Sequence, residues 1–416
     1  MAMLLSLGRA FPALAEPRMR RYLSAQAASL LGSWVLDITL NLLVWRLTQS
    51  PAMLGALNFL IYLPSLVVTP LLSGRLRVDN ARRLSLAVLA AAMAVAVGLT
   101  LGHALGLLTL PVLLGAALVR GVLGGMEVPS RQMLLMSLTH DSARLASAIA
   151  LNTVVFLLAR TLGPALAGLM FEPLGPGAGF VLAALGTAVM WRNVWRLPRP
   201  SPVPPAPAPA QGGGLGAALR FVWQDGFGRL FLPMTACVAF CAGAYQTLVP
   251  VLADRVYGSA SAWTGWFFGA SGVGALVAAV LLSSRHVEAS LRRGLMAVPW
   301  LAVLALVLLA VSAHVATTLA GFALLGFCTS FVGTGTNATL HRRVPPAARG
   351  GLIALLLLAF NGVMPLAQLV AGALAQWGSV NAAFGWLAAG LAVVLAAAYG
   401  WRWRRLGRVV WDMNRL

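Results

Sequence analysis

Asp37 and Arg120 carry opposite charges, and each lies in the middle of a long run of apolar residues. If these runs are membrane spans, a charge at their centre costs at least about 2.5–3.5 kcal/mol, which makes each residue a candidate for function. Loss of water favours the neutral form of a carboxyl group, whereas a nearby guanidinium favours the charged form. Asp37 could therefore bind and release a proton with Arg120 as counter-charge, or the two could form a static ion pair that fixes helix register.

Three further charged residues, Glu127, Arg131 and Arg160, lie in or next to the apolar runs. Glu127 follows Arg120 in the same apolar run, with Arg131 four residues later. That spacing favours a local helical ion pair, and a second proton site is the alternative. Arg160 lies in a separate run and could contact an anionic substrate or pair with Glu127 or Asp37.

Uncharged polar residues in the apolar runs are candidates for substrate contact: Asn41, Tyr245, Gln246 and Asn337. A hydrogen bond between two helices is the alternative for each of them. Catalytic and nucleotide-binding patterns are missing, and the histidines and cysteines do not form metal-spaced sets. The sequence therefore predicts no enzyme activity, no metal and no cofactor.

The composition indicates what must position these side chains. Of 416 residues, 60% are hydrophobic and only 10% are charged, with a mean hydropathy of +0.85. A soluble protein of this length has far more polar surface. Runs of about 20 apolar residues are long enough to span a bilayer as helices. We predict twelve: 22–45, 52–72, 84–107, 109–128, 146–169, 177–195, 230–253, 261–283, 294–313, 315–338, 350–373 and 380–401.

The net charge of +20 comes from thirty basic residues, all of them arginine. They fall at alternate ends of the predicted spans, as in the Arg-rich segment "GRLRVDNARRL" after the second span, and the opposite loops hold only Arg46 and Arg255. This is the positive-inside pattern, which predicts that both termini are cytoplasmic. The charge is therefore explained by membrane topology, and no nucleic-acid partner is expected.

The chain contains an internal repeat. The segment "RLTQSPAMLG" is echoed by "RVYGSASAWTG", and "VDNARR" by "VEASLRR", both about 210 residues later. A Pro- and Gly-rich linker separates six spans from six. We predict a cytoplasmic segment at 1–21, six-helix bundles at 22–197 and 230–401, a linker with a short surface helix at 198–229, and a cytoplasmic basic tail at 402–416.

This organisation resembles the major facilitator superfamily of transporters. Gly74, Asp79, Arg82 and Arg83 loosely match the loop signature that the family carries between spans two and three, with Asp79 one position late. "ALVRGVLGG" resembles the fourth-span pattern, and "ARTLGPALAG" resembles the fifth-span antiporter motif through Gly163, Pro164 and Gly168. The resemblance implies an all-α membrane protein of twelve transmembrane helices in two pseudo-symmetric bundles.

The resemblance also implies a function. Asp37 and Arg120 lie on helices that line the central cavity of the resembled fold, and the loop and fifth-span residues would act in gating. The branch with the enterobactin exporter and macrolide efflux proteins is the most similar. We therefore expect a monomeric, proton-coupled exporter of a small amphipathic molecule, such as a drug or siderophore, in the bacterial inner membrane. A lysophospholipid transporter or a non-transporting sensor are the alternatives.

Overall fold

The computed structural model describes residues 12–73, 78–138, 141–197, 215–283, 288–345 and 349–406. These residues form helices and their connections, and none of them is in a strand. Gly74, the linker 198–214 and the last part of the basic tail, from residue 407, lie outside the described residues.

The first half of the chain forms five helices. They are α1 (Pro17–Thr48), α2 (Pro51–Ser73), α3 (Val78–Ala104), α4 (Leu110–Ser137) and α5 (Ser142–Arg196). The division predicted near Leu110-Pro111 is the start of α4, where proline occupies a first-turn position that needs no backbone N–H. The helices extend beyond the predicted spans: α1 begins at Pro17 rather than near residue 22, and α3 begins at Val78 rather than 84.

Helix α5 is 55 residues long and contains two of the predicted spans. A straight helix of that length would measure roughly 80 Å, far more than the ~30 Å hydrocarbon core. The helix is interrupted at Gly175, whose φ of 75° and ψ of 170° are not helical. Only glycine adopts this backbone conformation readily, and Pro173 and Pro176 flank it. The chain can therefore reverse there and form the fifth and sixth spans.

The second half begins with a short helix and continues with longer ones. They are α6 (Leu215–Gln224), α7 (Gly226–Tyr257), α8 (Ala260–Ser283), α9 (Glu288–Ala310), α10 (Val315–Arg343), α11 (Arg349–Leu357), α12 (Met364–Trp377) and α13 (Val380–Leu406). Helix α6 is the short helix predicted after the linker; it buries Ala218 and Val222 and exposes Trp223. A π-helical turn, Leu358–Gly362, joins α11 to α12, so the eleventh span is a helix with a local distortion.

Eleven helices of the described part of the chain are long and apolar enough to cross a membrane. Counting α5 as two crossings gives the twelve-helix, all-α membrane fold that the sequence predicts. Helices α1 and α7 are the first spans of the two halves, and they are the most enclosed. Of an apolar 18-residue stretch in each, 67% and 83% is buried, compared with 28% for α3. The first spanning helix of each half is therefore surrounded mainly by protein, and α3 exposes most of its surface.

The structure divides into two compact units. Unit 1 comprises Met1–Gln49, Leu57–Pro204 and Tyr257–Gly269, and unit 2 comprises Ser50–Ala56, Pro205–Val256 and Ala270–Leu416. In unit 2, a Cβ at Gly55 would lie 2.7 Å from the Gln368 carbonyl oxygen, and in unit 1 a Cβ at Gly265 would lie 2.7 Å from the Ala165 Cα. The repeat-related Gly55 and Gly265 thus serve the same purpose, a backbone approach too close for any side chain.

Glycines also determine how α1 packs against the last part of α5. A Cβ at Gly32 of α1 would lie 2.9 Å from the Ala183 Cα, and a Cβ at Gly186 of α5 would overlap the Ala28 carbonyl oxygen. Without these side chains the two backbones meet directly, which maximises van der Waals contact where no hydrophobic force drives helices together. This contact holds α1, the helix that carries Asp37, in place.

We predict that Gly186→Ala destabilises the protein because the new methyl group meets backbone rather than a movable side chain. The expected loss is about 1–3 kcal/mol, the usual cost of overpacking. Gly98→Ala is the matched control, since a Cβ at Gly98 of α3 meets nothing within 4 Å and alanine favours the helix. Thermal unfolding in detergent should show a lower Tm for Gly186→Ala alone; equal Tm values would contradict this packing.

Candidate functional site

The Asp37 carboxylate and the Arg120 guanidinium face each other between α1 and α4. Arg120 Nε lies 3.4 Å from Asp37 Oδ1, and the two side chains are only 14% and 13% exposed. Among the described residues, Asp37 Oδ1 has no hydrogen-bond donor. This oxygen therefore interacts with Arg120 by charge rather than by a hydrogen bond, and protonation of the carboxylate would weaken that interaction.

Arg120 also faces a second carboxylate on its own helix. Its Nη1 lies 3.7 Å from Glu127 Oε2, and Glu127 Oε1 is in contact with Arg131 Nη2. Glu127 thus forms the local helical ion pair with Arg131 that the sequence offered, and its role as a second proton site stays a prediction. Asp37, Arg120, Glu127 and Arg131 form a row of alternating charges, which we call the charge chain.

Two polar side chains of α1 hold the far end of the charge chain. Arg131 Nη2 donates a hydrogen bond to Ser29 Oγ over 2.6 Å, and Tyr22 donates to the Arg131 carbonyl oxygen over 2.8 Å. Arg131 is 5% exposed, and no described residue forms a hydrogen bond with its Nε or Nη1. The guanidinium is thus buried with part of its hydrogen-bonding capacity unused, which makes the Glu127 carboxylate its principal compensation.

The sequence of α4 explains why these charges align. Positions 120, 124, 127 and 131 lie on one face of a helix. Gly124 occupies the place between the charges, and a Cβ there would lie 3.3 Å from Arg120 Nη1. On another face, Cβ atoms at Gly121 and Gly125 would lie within 2.9 Å of the α2 backbone. Glycines therefore both seat α4 against α2 and leave room for the Arg120 side chain.

The charge chain holds two negative and two positive charges, so it is neutral as a whole when all four groups are ionised. Addition of one proton to either carboxylate leaves an excess positive charge in a poorly solvated place, which must be compensated by movement, by water or by an anion. Among the described residues no group of three His, Cys, Asp or Glu side chains could hold a metal ion. The chemistry available here is proton binding and anion binding.

Asn41 lies one helical turn from Asp37 but is used for helix packing. Its Nδ2 donates to the Asp37 carbonyl oxygen over 2.8 Å, and its amide exchanges two hydrogen bonds, of 2.8 and 3.2 Å, with the Asn58 amide of α2. Asn41 and Asn58 are each 4% exposed. In this arrangement Asn41 has the helix-to-helix bond that the sequence left open as the alternative to substrate contact.

Arg160 lies on α5 over the indole of Trp34, with its Cζ 6.0 Å from the ring centroid. Phe156 packs edge-on against the same indole, 6.2 Å between centroids. In the described part of the chain, neither Glu127 nor Asp37 forms an ion pair with Arg160. Arg160 therefore lies beside an aromatic surface, and its contact with an anionic substrate stays a prediction.

Of the three predicted substrate residues in the second half, two are buried and one is exposed. Tyr245 is 2% exposed and shares a hydrogen bond of 3.0 Å with Ser271, whereas Gln246 is 7% exposed and accepts a 3.4 Å bond from Gln368. Both side chains therefore link helices within unit 2. Asn337 on α10 is exposed.

The glycines of the fifth-span motif are contact points within unit 1. A Cβ at Gly163 would overlap the Trp34 side chain, and one at Gly168 would overlap the Ser261 carbonyl oxygen. The intervening Pro164 lies inside the helix. Ser261 Oγ donates to Glu172 over 2.9 Å, a contact for which the sequence offered no signal. The motif thus brings α5 against both α1 and the start of α8.

The Arg-rich loop signature is represented by the start of α3. Arg82 donates to the carbonyl oxygens of Val194 and Trp195, over 3.2 and 2.6 Å, at the end of α5. This is a helix C-terminus cap within unit 1, favoured by the helix dipole. Arg83 is exposed, Asp79 lies in the first turn of α3, and Gly74 falls outside the described residues.

Sequence reasoning missed Ser29, Tyr22 and the pairing of Gln26 with Asn152. All three belong to the α1 face that meets α4 and α5. The only available signal was polar residues at helical spacing on α1, which does not reveal their partners.

The sequence matches the protein family described as transmembrane secretion effector over residues 9–409. The Staphyloferrin A transporter of Staphylococcus aureus is 22% identical over 270 residues, which cover 63% of this chain and 66% of that relative, just under two thirds. A bacterial homolog of the human lysosomal transporter Spinster has a similar structure, with a TM-score of 0.67 and 14% identity, covering 92% of this chain and 96% of that one. The nucleoside transporter NupG aligns with a TM-score of 0.68 and 12% identity, over 91% and 98%.

We predict that Gly124→Leu separates Arg120 from Glu127, because the new side chain occupies the path of the guanidinium. The expected destabilisation is about 1–3 kcal/mol. Glu127→Gln should then lower the Tm less in the Gly124→Leu background than in the wild type, a coupling measured by a double-mutant cycle.

Gly115→Leu is the control for this cycle, because a Cβ at Gly115 on the same helix meets nothing within 4 Å. Its effect should add to that of Glu127→Gln. Simple additivity with Gly124→Leu as well would show that Gly124 does not govern the Arg120–Glu127 contact.

Proposed function

Since the chain belongs to the transmembrane secretion effector family of the major facilitator superfamily, we propose that it exports a small molecule in exchange for protons, by alternating access. Family and fold are those of a membrane transporter and not of an enzyme. The observation that carries the proposal is the buried charge chain in the first half. Its two carboxylates and two guanidiniums neutralise each other, and both carboxylates contact Arg120.

In this mechanism Asp37 is the proton-binding site and Arg120 its counter-charge. Protonation of Asp37 removes one partner of Arg120, whose Nη1 is already 3.7 Å from Glu127. Arg120 then pairs with Glu127 or with a bound anion, and loss of the proton restores the Asp37 pair. Glu127 thereby acts as the second coupling residue, and Arg131 prevents it from being left unpaired when Arg120 returns to Asp37.

The cargo class that fits best is an amphipathic anion. Arg160 over the Trp34 ring offers positive charge beside an aromatic surface, and Arg120 becomes available when Asp37 is protonated. The similarity to the Staphyloferrin A transporter supports a siderophore as the first cargo to test, and an amphipathic drug as the second. The family's description as a secretion effector supports export as the direction.

The proposed setting is the cytoplasmic membrane of a bacterium, with both termini in the cytoplasm and the protein acting as a monomer. The distribution of the arginines supports this orientation, because most of the thirty lie at alternate ends of the spans. Gly163, Pro164 and Gly168 would allow α5 to bend or separate from α1 and α8 during the cycle, and Asp79, Arg82 and Arg83 would act at the arginine-rich end.

We expect Asp37→Asn to abolish proton-driven export. In an efflux-deficient bacterium, the wild type should reduce accumulation of its cargo from a panel of catecholate and carboxylate siderophores, macrolides and dyes. In proteoliposomes the variant should lose pH-driven uptake but retain counterflow of unlabelled against labelled cargo, since an amide cannot carry the proton. Asp254→Asn is the matched control, because no ion pair within the described residues involves Asp254 and it lies outside the charge chain.

Unimpaired pH-driven transport by Asp37→Asn would refute the proton-site assignment. If the wild type binds a panel member but transports none, the protein would be a sensor and not a transporter. If it transports lysophospholipid but none of the panel, the cargo would be a lysophospholipid.

Arg160→Gln should act on cargo rather than on coupling. We expect the apparent KM for an anionic cargo to rise about tenfold, the usual worth of one charge-assisted contact, with the proton dependence retained. Arg46→Gln removes the same charge from an exposed site at the end of α1 and should leave KM unchanged. An unchanged KM for Arg160→Gln would remove Arg160 from the cargo site.

A further inference from the structure

A pocket lined by four arginines lies where the start of α1 meets the end of α5, entirely within unit 1. Its cavity volume is about 630 Å³, and its lining includes Arg18, Arg21, Arg192 and Arg196 together with Asn193. Such a volume is within the range of small-ligand sites. The pocket is separate from the charge chain, with which it shares no residue.

Among the described residues, no carboxylate lines this pocket and none of its four arginines takes part in an ion pair. The only acidic residue near the start of α1, Glu16, faces Arg144 instead, at 3.6 Å. Four guanidiniums around one cavity repel each other unless an anion is present. The arrangement is therefore complementary to a negatively charged group.

Helix dipoles do not explain these arginines. Arg18 and Arg21 lie in the first turns of α1, at the positive end of its dipole, where a cation is unfavourable. Arg192 and Arg196 lie at the favourable end of α5, but Arg82 already caps the Val194 and Trp195 carbonyls there. Positive-inside topology requires arginines at this end of the spans but not their convergence on one cavity.

Two tryptophans beside the pocket indicate that it lies at the level of the lipid headgroups. Trp191 and Trp195 lie on the same turns of α5 as the pocket arginines, with their rings stacked 6.5 Å apart. Trp195 is 58% exposed, and exposed tryptophans at the ends of spans are typical of the membrane interface. Basic pockets between spans at this level bind the phosphates of anionic lipids.

Asn193 adds a requirement beyond negative charge. Its Oδ1 is buried and accepts no hydrogen bond from any described residue. A buried acceptor without a donor is costly, and Asn193 lines the pocket, so rotation of its side chain toward a ligand that brings a hydroxyl group would satisfy it. A phosphodiester whose headgroup carries hydroxyls would therefore use both features of the pocket.

We propose that this pocket binds the headgroup of an anionic glycerophospholipid, with the four arginines on its phosphate and Asn193 accepting from a headgroup hydroxyl. Phosphatidylglycerol has this chemistry. The bound lipid would join the start of α1 to the end of α5 and so stabilise unit 1. The proposal does not depend on the transported cargo or on proton coupling.

The test is thermal unfolding of the full-length protein in detergent, titrated with phosphatidylglycerol, phosphatidylcholine or inorganic phosphate. Phosphatidylglycerol should raise the Tm saturably, and phosphatidylcholine should not. Arg21→Gln/Arg192→Gln should weaken the phosphatidylglycerol response roughly tenfold or more, each measured from the variant's own lipid-free Tm. Arg20→Gln/Arg46→Gln is the matched control, since it removes two exposed charges of α1 that do not line the pocket.

Asn193→Leu tests the hydroxyl contact. It should weaken phosphatidylglycerol binding but leave binding of phosphatidylmethanol, a phosphodiester without a headgroup hydroxyl, unchanged. If Arg20→Gln/Arg46→Gln weakened the phosphatidylglycerol response as much as Arg21→Gln/Arg192→Gln, the response would depend on general surface charge. That result would overturn the proposal. An equal response to inorganic phosphate would also overturn it, because the pocket would then be a free-anion site and not a lipid site.

Discussion

A charged side chain inside a membrane span must be neutralised by other protein groups, because the surrounding hydrocarbon supplies neither water nor counter-ions. The row Asp37, Arg120, Glu127 and Arg131 meets this condition by alternation, with each inner charge between two opposite ones. The positions of α1 and α4 follow from it, since displacement of either helix would leave a buried charge without its partner. The same constraint makes the row sensitive to a single proton.

Neutralisation at these distances depends on the positions of the helices, which are fixed where neighbouring backbones approach more closely than side chains would allow. Glycine provides that approach at Gly121 and Gly125 against α2, at Gly163 against Trp34, and at Gly32 and Gly186 where α1 meets α5. In a bilayer, close backbone packing replaces the hydrophobic effect as the source of helix association. The glycines that stabilise the fold are therefore also the residues that position the charges, and Gly124 has the second task of admitting the Arg120 guanidinium.

The arginines of this chain fall into two physical classes. Arg120 and Arg131 are buried and compensated by carboxylates, whereas most of the thirty lie at the ends of spans, where water and headgroups solvate them. Arg160 belongs to neither class, because it lies within a span, over an indole and without a carboxylate of the charge chain. Arg18, Arg21, Arg192 and Arg196 also stand apart, as end-of-span arginines that converge on one cavity.

The sequence by itself determined the membrane-embedded, all-helical class and its apolar spans, because length and hydropathy of a span depend only on consecutive residues. The superfamily followed from the resemblance of several motifs, and the family match confirms it. The sequence also singled out Asp37 and Arg120 as charges in mid-span, and Glu127 in the same span as Arg120. Only the tertiary structure decided which charges meet: Arg120 lies between two carboxylates, Asn41 is bound to Asn58, and Arg82 caps the end of α5. Helical periodicity specifies the face on which a residue lies, but the partner depends on the rotation and separation of neighbouring helices, which glycine contacts distant in sequence establish.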